Sequence, residues 1–288
     1  MRVTQYFLKQ DIDPIFENGL RPKLRYFCDV DHAHTRLPRI LHSHDDIMEI
    51  VFIKEGSGYH VIGDRKYSTR KGDLLIYNSN VLHDEMADPN TSMSVYCCGI
   101  TNLKLKGLPS NHLVSKEVSY VLHSGEQAEP IEALLKMMCS QIQEEKPGLV
   151  EMCSYLLCAL ISLILQIPQE ITVLSKSEKS VLSNRIKDYI DENYLEEINL
   201  DSIAQSLSIS PFYLVHVFKE STGFSPIQYI IRRRIGEAQS LLINTDYSVT
   251  QIAGMVGYDN ISYFTTLFSK TVCMTPKKYR QLWTKMAK

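Results

Sequence analysis

Leu200-Asp-Ser-Ile-Ala-Gln-Ser-Leu-Ser-Ile-Ser-Pro-Phe-Tyr-Leu-Val-His-Val-Phe-Lys219 contains two short runs of helical periodicity separated by a polar turn. Leu200, Ile203, Ala204 and Leu207 form the apolar stripe of the first run, and Leu214, Val217 and Phe218 that of the second. Ser210 is suited to cap the second helix. Pro211 falls in its first turn, where a missing N–H costs nothing, and Gly223 closes it. Phe212, Tyr213, Val215, His216 and Lys219 are left on or beside the open face, where a recognition helix would meet base edges and phosphates.

The pattern returns about fifty residues later, and an internal repeat outweighs either copy alone. Ile252-Ala-Gly-Met-Val-Gly257 reads as a first helix, Tyr258-Asp259 as the turn and Asn260 as the cap. Phe264, Leu267 and Phe268 face inward, while Ser262, Thr265 and Thr266 point away and join Asn260 as candidate DNA contacts. Between the units, Pro226 to Leu242 forms a helix with Tyr229, Ile230, Ala238, Leu241 and Leu242 inside. Arg232, Arg233 and Arg234 give it a cationic band, and Arg232 and Arg233 are expected to grip phosphate. The net charge of −2 conceals a split: from Pro211 to Lys288 there are ten Lys and Arg against four Asp and Glu, leaving −8 upstream.

The chain from about Leu182 to Arg280 resembles the DNA-binding domain of AraC-type regulators. The matches include Ile203-Ala204, Tyr213-Leu214, Phe218-Lys219, Thr222-Gly223, Ser225-Pro226, Arg234-Ile235, Ile252-Ala253, Gly257-Tyr258, Tyr263-Phe264, Thr275-Pro276 and Tyr279-Arg280. The resemblance implies two helix-turn-helix units entering successive major-groove segments of promoter DNA. Phe212, Val215 and His216 would read bases in the first unit, Ser262 and Thr266 in the second. Two departures stand out: Thr266 replaces a frequent basic residue, and Cys273 stands where glycine often precedes Thr-Pro. The second unit is therefore expected to grip more weakly.

Upstream the periodicity is that of strands. Runs such as Glu49-Ile-Val-Phe-Ile-Lys and Tyr59-His-Val-Ile are divided by turn signals at Gly56, Gly63 and Gly72, which suggests a sandwich or barrel over about 20–120. His42-Ser-His44, Glu49, Gly56, Gly72 and His83 follow the spacing of the two cupin motifs, with Asn78 and Asn80 replacing the usual proline and glycine. This resemblance implies that His42, His44, Glu49 and His83 point into one barrel. There they would hold a divalent metal, line an effector pocket or simply pack.

From about Glu129 the spacing turns helical, with Ile131, Leu134, Leu135 and Met138, and Pro147-Gly148 separates a second helix from Leu149 to Ile167. That stretch is apolar enough to raise the question of a membrane span. Glu151, Ser154, Cys158, Ser162 and Gln166, however, recur as one narrow polar stripe, so a buried helix is expected and no membrane partner. The seven cysteines are odd in number and form no Cys-x-x-Cys pair, and the first residues lack a signal-peptide apolar run, which points to the cytoplasm.

The expected architecture is α+β and multidomain: a cupin-like β-barrel for effector sensing (1–125), a helical dimerisation region (126–168), a linker (169–180) and an all-α double helix-turn-helix domain (181–288). The expected function is regulation of transcription without enzymatic activity. The chain would act as a homodimer on promoter DNA in response to a small molecule, by family habit a sugar, and with RNA polymerase as partner if it is an activator. The alternative is a metal-dependent cupin enzyme fused to a DNA-binding tail.

Overall fold

The computed structural model describes residues 4–5, 14–145, 147–171 and 178–286. The outermost residues of the expected terminal domains and the middle of the expected linker, 172–177, lie outside the described residues.

Among the described residues, nine strands make up the first half: β1 Lys23–Val30, β2 Arg39–His42, β3 Met48–Glu55, β4 Ser57–Ile62, β5 Arg65–Arg70, β6 Asp73–Tyr77, β7 His83–Ala87, β8 Ser94–Thr101 and β9 Val121–His123. They form two antiparallel sheets, ordered β1-β8-β3-β6-β9 and β2-β7-β4-β5. β3 lies in the centre of its sheet, and Met48 to Ile53 are all buried, which is why Ile50 to Ile53 read as a continuous apolar run. In the other sheet, between β7 and β5, β4 alternates, burying Gly58, His60 and Ile62 and exposing Tyr59. Asn80 adopts a left-handed φ of 61°, a conformation that asparagine and glycine tolerate better than other residues. Asn78 is buried and tied to Leu113 N and Val114 O.

A single-turn helix, α1 (His32–Thr35), precedes β2, and two long helices, α2 (Ala128–Glu144) and α3 (Leu149–Ile164), follow the sheets. Ile131, Leu135 and Met138 from α2 and Leu157, Leu160, Ile161 and Ile164 from α3 enter the same core as β3, β6 and β8. Ser154, Cys158 and Ser162 are only half-buried and Glu151 and Gln166 are exposed, as the polar stripe predicts. No helix among the described residues is long and apolar enough to cross a membrane.

The last part is helical: α4 Glu178–Asn193, α5 Leu200–Ser206, α6 Pro211–Thr222, α7 Pro226–Asn244, α8 Val249–Met255, α9 Ile261–Val272 and α10 Pro276–Met286. The caps are those read from the sequence: Ser210 Oγ accepts from Tyr213 N and Asn260 Oδ1 from Tyr263 N. Ile186, Ile203, Leu214, Phe218, Ile252, Phe264 and Phe268 build a second core.

Ile40, Leu41 and Leu82, which lie in sequence among the strands, belong to this second core rather than the first. β2 therefore packs against α7, the helix that joins the two helix-turn-helix units.

The first unit ends on Gly223 with φ 81°, and the second on Cys273 with φ 62°. Left-handed backbone costs a residue with a Cβ about 1–2 kcal/mol, and glycine gives part of that back as unfolded-state entropy. Cys273 is exposed and loses little contact on truncation. Cys273→Gly is therefore expected to stabilise the C-terminal unit by about 0.5–1 kcal/mol, read as a higher urea midpoint with unchanged m-value. A lower midpoint would refute this account.

Candidate nucleic-acid interface and effector centre

α6 buries Leu214, Val217 and Phe218 and turns its other face outward. Phe212 is 85% exposed, Tyr213 and Lys219 are exposed, and His216 lies 3.7 Å from Glu220, one turn on. Val215 is half-buried against the second core, so it offers less of itself to a base than its neighbours do. On α9, Ser262 and Thr266 are exposed, Thr265 is half-buried, and the Thr266 hydroxyl already donates to the Ser262 carbonyl. The Asn260 side chain is committed to its cap. Tyr263, at 55% exposure, is the large outward side chain of α9. In the sequence it enters only as part of the family match Tyr263-Phe264.

The three arginines of the cationic band expected on α7 lie on that helix, and each has partners within the chain. Arg233 is buried, with Nε donating to Asp191 at 2.8 Å and Nη1 to the Leu41 carbonyl at 3.4 Å. Arg232 Nη2 donates to Asp84, on β7, at 2.6 Å. Arg234 spans the carbonyls of Tyr194, Glu196 and Gly257. Each guanidinium is thus held within the chain by carboxylate or carbonyl oxygens, and a phosphate would have to displace them.

The second candidate cluster is assembled from both sheets. His42 ends β2, His44 lies in the following loop, Glu49 sits on β3 and His83 opens β7 opposite His42. One donor atom from each lies within 4.8 Å of all the others. His83 is clamped from two sides. Tyr77 stacks on its ring at 3.9 Å, and Nδ1 faces the Val81 carbonyl at 2.9 Å, which directs Nε2 to Glu49 Oε2 at 3.2 Å. Tyr26 donates to the other Glu49 oxygen, Oε1, at 2.5 Å, and the Cys97 thiol approaches the same atom at 3.6 Å.

Burial disfavours ionisation of Glu49, but the imidazoles of His44 and His83 outweigh it and hold the carboxyl well below the usual range. Burial, together with the Arg39 guanidinium, pushes His42 well below its ordinary value, so its ring is neutral. Burial and the Glu49 charge keep the Tyr26 phenol protonated.

The cluster fits a divalent metal. His44 Nε2, His83 Nε2 and Glu49 Oε2 are buried and converge, the two nitrogens lying 3.5 and 3.2 Å from the carboxylate oxygen, yet none of these contacts has hydrogen-bond geometry, an arrangement that is costly unless something occupies the space between them. Donors about 2.1 Å from a common ion stand about 3.4 Å apart in a tetrahedron and up to about 4.2 Å apart in an octahedron, so only a slight contraction is required. Imidazole and carboxylate together suit Zn, Fe, Mn or Ni. Tyr26 was not singled out in the sequence, since nothing in its spacing relates it to Glu49. Tyr26→Phe removes the hydroxyl that orients the carboxylate and is expected to weaken metal binding by about 10–100-fold, measured by competition with a chromophoric chelator. Unchanged affinity would exclude the orienting role.

Residues 28–160 match the AraC-like ligand binding domain, and residues 203–282 match a helix-turn-helix domain. The chain belongs to the AraC family of transcription regulators. It is similar to the HTH-type transcriptional regulator YdiP of Escherichia coli K12, with 27% identity over 93% of this chain and 89% of the relative. It is also similar to the transcriptional activator RhaS of an Enterobacter species, with 24% identity over 83% of this chain and 86% of that one. Among solved structures, the C-terminal domain of AraT, a response regulator from Geobacillus stearothermophilus, is 34% identical; the match covers 37% of this chain and 88% of that one, with a TM-score of 0.36.

As an AraC-family regulator, the chain joins a ligand-binding domain to a DNA-binding domain, and the surface between them is specific. Gln239 of α7 accepts from Ile40 N at 2.9 Å and donates to the Pro38 carbonyl at 3.0 Å. A Cβ on Gly236 would stand 2.1 Å from the Leu41 carbonyl oxygen, so α7 and β2 approach as closely as their backbones allow. Beside this contact opens a cleft of about 560 Å³, lined by His44, Asp45 and Asp46 of the ligand-binding domain and by Asp191, Arg233, Glu237, Ser240 and Asn244 of the helical domain. His44 thus links the cleft to the cluster.

Proposed function

We propose that this AraC-family protein regulates transcription in response to a small molecule held at the cleft and the His42, His44, Glu49, His83 centre, acting through the contact between β2 and α7. One observation carries the reading: the strand that ends in His42 is packed without spare space on the helix that spaces the two recognition helices. A ligand that favours one arrangement of β2 therefore also favours one arrangement of α6 relative to α9.

The cleft size falls in the range of small-molecule sites. Its carboxylates and the buried, unpartnered Ser240 hydroxyl suit a ligand rich in hydroxyl groups, which supports a sugar as effector. A bound divalent metal would act as a Lewis acid, anchoring such oxygens beside His44. Because the cleft is walled by α4 and α7 as well as by the sensor, its occupant touches both domains; this favours a regulator over a metal-dependent enzyme with a DNA-binding tail. Exposed Met137 on α2 and Val150 and Met152 on α3 support a homodimer through these helices. The family resemblance supports activation through RNA polymerase, and seven unpaired cysteines support a cytoplasmic setting.

DNA would be read by Phe212, Tyr213, His216 and Lys219 on α6 and by Ser262, Tyr263 and Thr266 on α9, with Val215, Thr265 and Asn260 supporting them. Arg232 and Arg233 hold the domains together in this arrangement. The test is DNA binding by the full-length protein to a site selected from random sequence, with zinc and a panel of neutral sugars added singly. A ligand-dependent change in affinity is expected, and a constant affinity under every addition, despite measurable ligand binding, would refute the proposal. His216→Ala should lower the preference for the selected site by about 1–3 kcal/mol at one base position while non-specific binding is retained. An unaltered preference in a repeat selection would remove His216 from the reading surface.

A further inference from the structure

The fourth donor of the centre is already in use. His42 Nδ1 faces the Ile40 carbonyl at 3.0 Å, so it carries the ring proton and leaves the lone pair on Nε2. Arg39 Nη2 lies 2.8 Å from that nitrogen. A guanidinium only donates, so the lone pair that would bind a metal is engaged by Arg39. The centre as built thus offers three open donors, His44 Nε2, His83 Nε2 and Glu49 Oε2, and one that is masked.

Arg39 has a second contact, which lies in the other domain. Its Cζ stands 5.8 Å from the ring centroid of Trp283, on α10, the helix that completes the second helix-turn-helix unit. Arg39 also begins β2, whose next residue, Ile40, is bonded to Gln239 of α7. A single side chain therefore joins a masked ligand atom to the terminal helix of the DNA-binding domain. The sequence distance between Arg39 and Trp283 hides this relation.

We propose that Arg39 is a latch: full coordination of a divalent metal by His42, His44, Glu49 and His83 excludes the Arg39–His42 hydrogen bond and so releases Arg39 from Trp283. The two occupants of His42 Nε2 compete for one lone pair. Metal binding and docking of α10 on β2 are thereby linked with opposite sign, and linkage makes the effect reciprocal. This inference rests on the metal reading of the centre and adds to it a route from the metal to the second recognition unit. It also gives the expected weaker grip of that unit a physical handle, because α10 is where the latch ends.

Trp283 is the single tryptophan of the chain, so its emission reports the latch without a label. The experiment uses full-length protein stripped with a chelator and titrated with Zn²⁺, which is redox-inert and has a filled d shell. Zinc affinity is measured in parallel by chelator competition. In the unaltered protein, a saturable change in Trp283 emission should follow zinc occupancy. In His42→Ala, zinc should still bind through the three open donors, but the emission change should vanish. Arg39→Met, which keeps an apolar stem over the indole, should bind zinc about fivefold or more tighter, and that gain should disappear in the Arg39→Met, His42→Ala double variant.

Zinc binding to the unaltered protein with constant Trp283 emission would overturn the latch while leaving the metal centre standing. The same conclusion follows if the gain from Arg39→Met persists without His42. Failure of the unaltered protein to bind zinc at all would overturn the latch and the metal reading together. The emission arm needs no variant, so a misfolded Arg39→Met protein would not protect the proposal.

Discussion

Gly236→Ala is expected to separate the two domains without unfolding either. The added methyl would lie 2.1 Å from Leu41 O and 2.7 Å from Ile40 O, both backbone atoms of β2 that no rotamer change can move aside. α7 and β2 must part, and with them go both Gln239 hydrogen bonds and the Arg233 bond to Leu41 O. Each buried group left unpaired costs about 1–3 kcal/mol. Within α7 the sign is opposite, since alanine is favoured over glycine in a helix interior by about 0.5–1 kcal/mol. The full-length variant should therefore keep its affinity for the selected DNA site but lose any response to ligand, and it should melt in two transitions where the unaltered protein is expected to melt in one. Retention of ligand response in a folded Gly236→Ala protein would show that β2 and α7 do not carry the coupling.

Replacing Glu49 has the second large effect. Glu49 is the one anion among three imidazoles, and its two oxygens face different ways, one to Tyr26 and Cys97, the other to His44 and His83. In Glu49→Ala the Tyr26 hydroxyl loses its acceptor, costing about 1–3 kcal/mol of barrel stability. Zinc affinity should fall by about 100-fold or more, because loss of a ligand exceeds the effect of losing one of its supporting partners. Glu49→Gln separates the two consequences: it keeps an acceptor for Tyr26, so the melting temperature should largely recover while zinc affinity does not. Equal zinc affinity in all three proteins, measured by chelator competition, would end the case for this centre.

The local devices of the fold were legible in the chain. The Ser210 and Asn260 caps, the Gly223 stop and the stripes Leu214–Phe218 and Phe264–Phe268 depend only on neighbours within a turn or two, and the structure has them as read. The His42, His44, Glu49 and His83 cluster was legible only through the cupin-motif spacing these residues resemble, since His44 lies past the end of β2, where strand alternation no longer applies. Tyr26 and Arg39, which adjust that cluster, carried no such spacing. The partners of the three arginines of α7 were not legible for the same kind of reason. Sequence gives an arginine its charge, but Asp84 and Asp191, which capture Arg232 and Arg233, lie 148 and 42 residues away.

What the sequence determined by itself is the set of parts: a strand-built sandwich or barrel and two helix-turn-helix units, specified by periodicity and short-range backbone chemistry, and, through the resemblance to the cupin motifs, a cluster of metal-competent donors. What only the tertiary structure decided is the joint between them. Ile40 and Leu41 look like ordinary strand residues and Gly236 like a weak point in a helix, yet together they bring two backbones into contact. That outcome depends on the shapes of two surfaces that meet only after each domain has folded, and no local pattern in the chain encodes such a meeting.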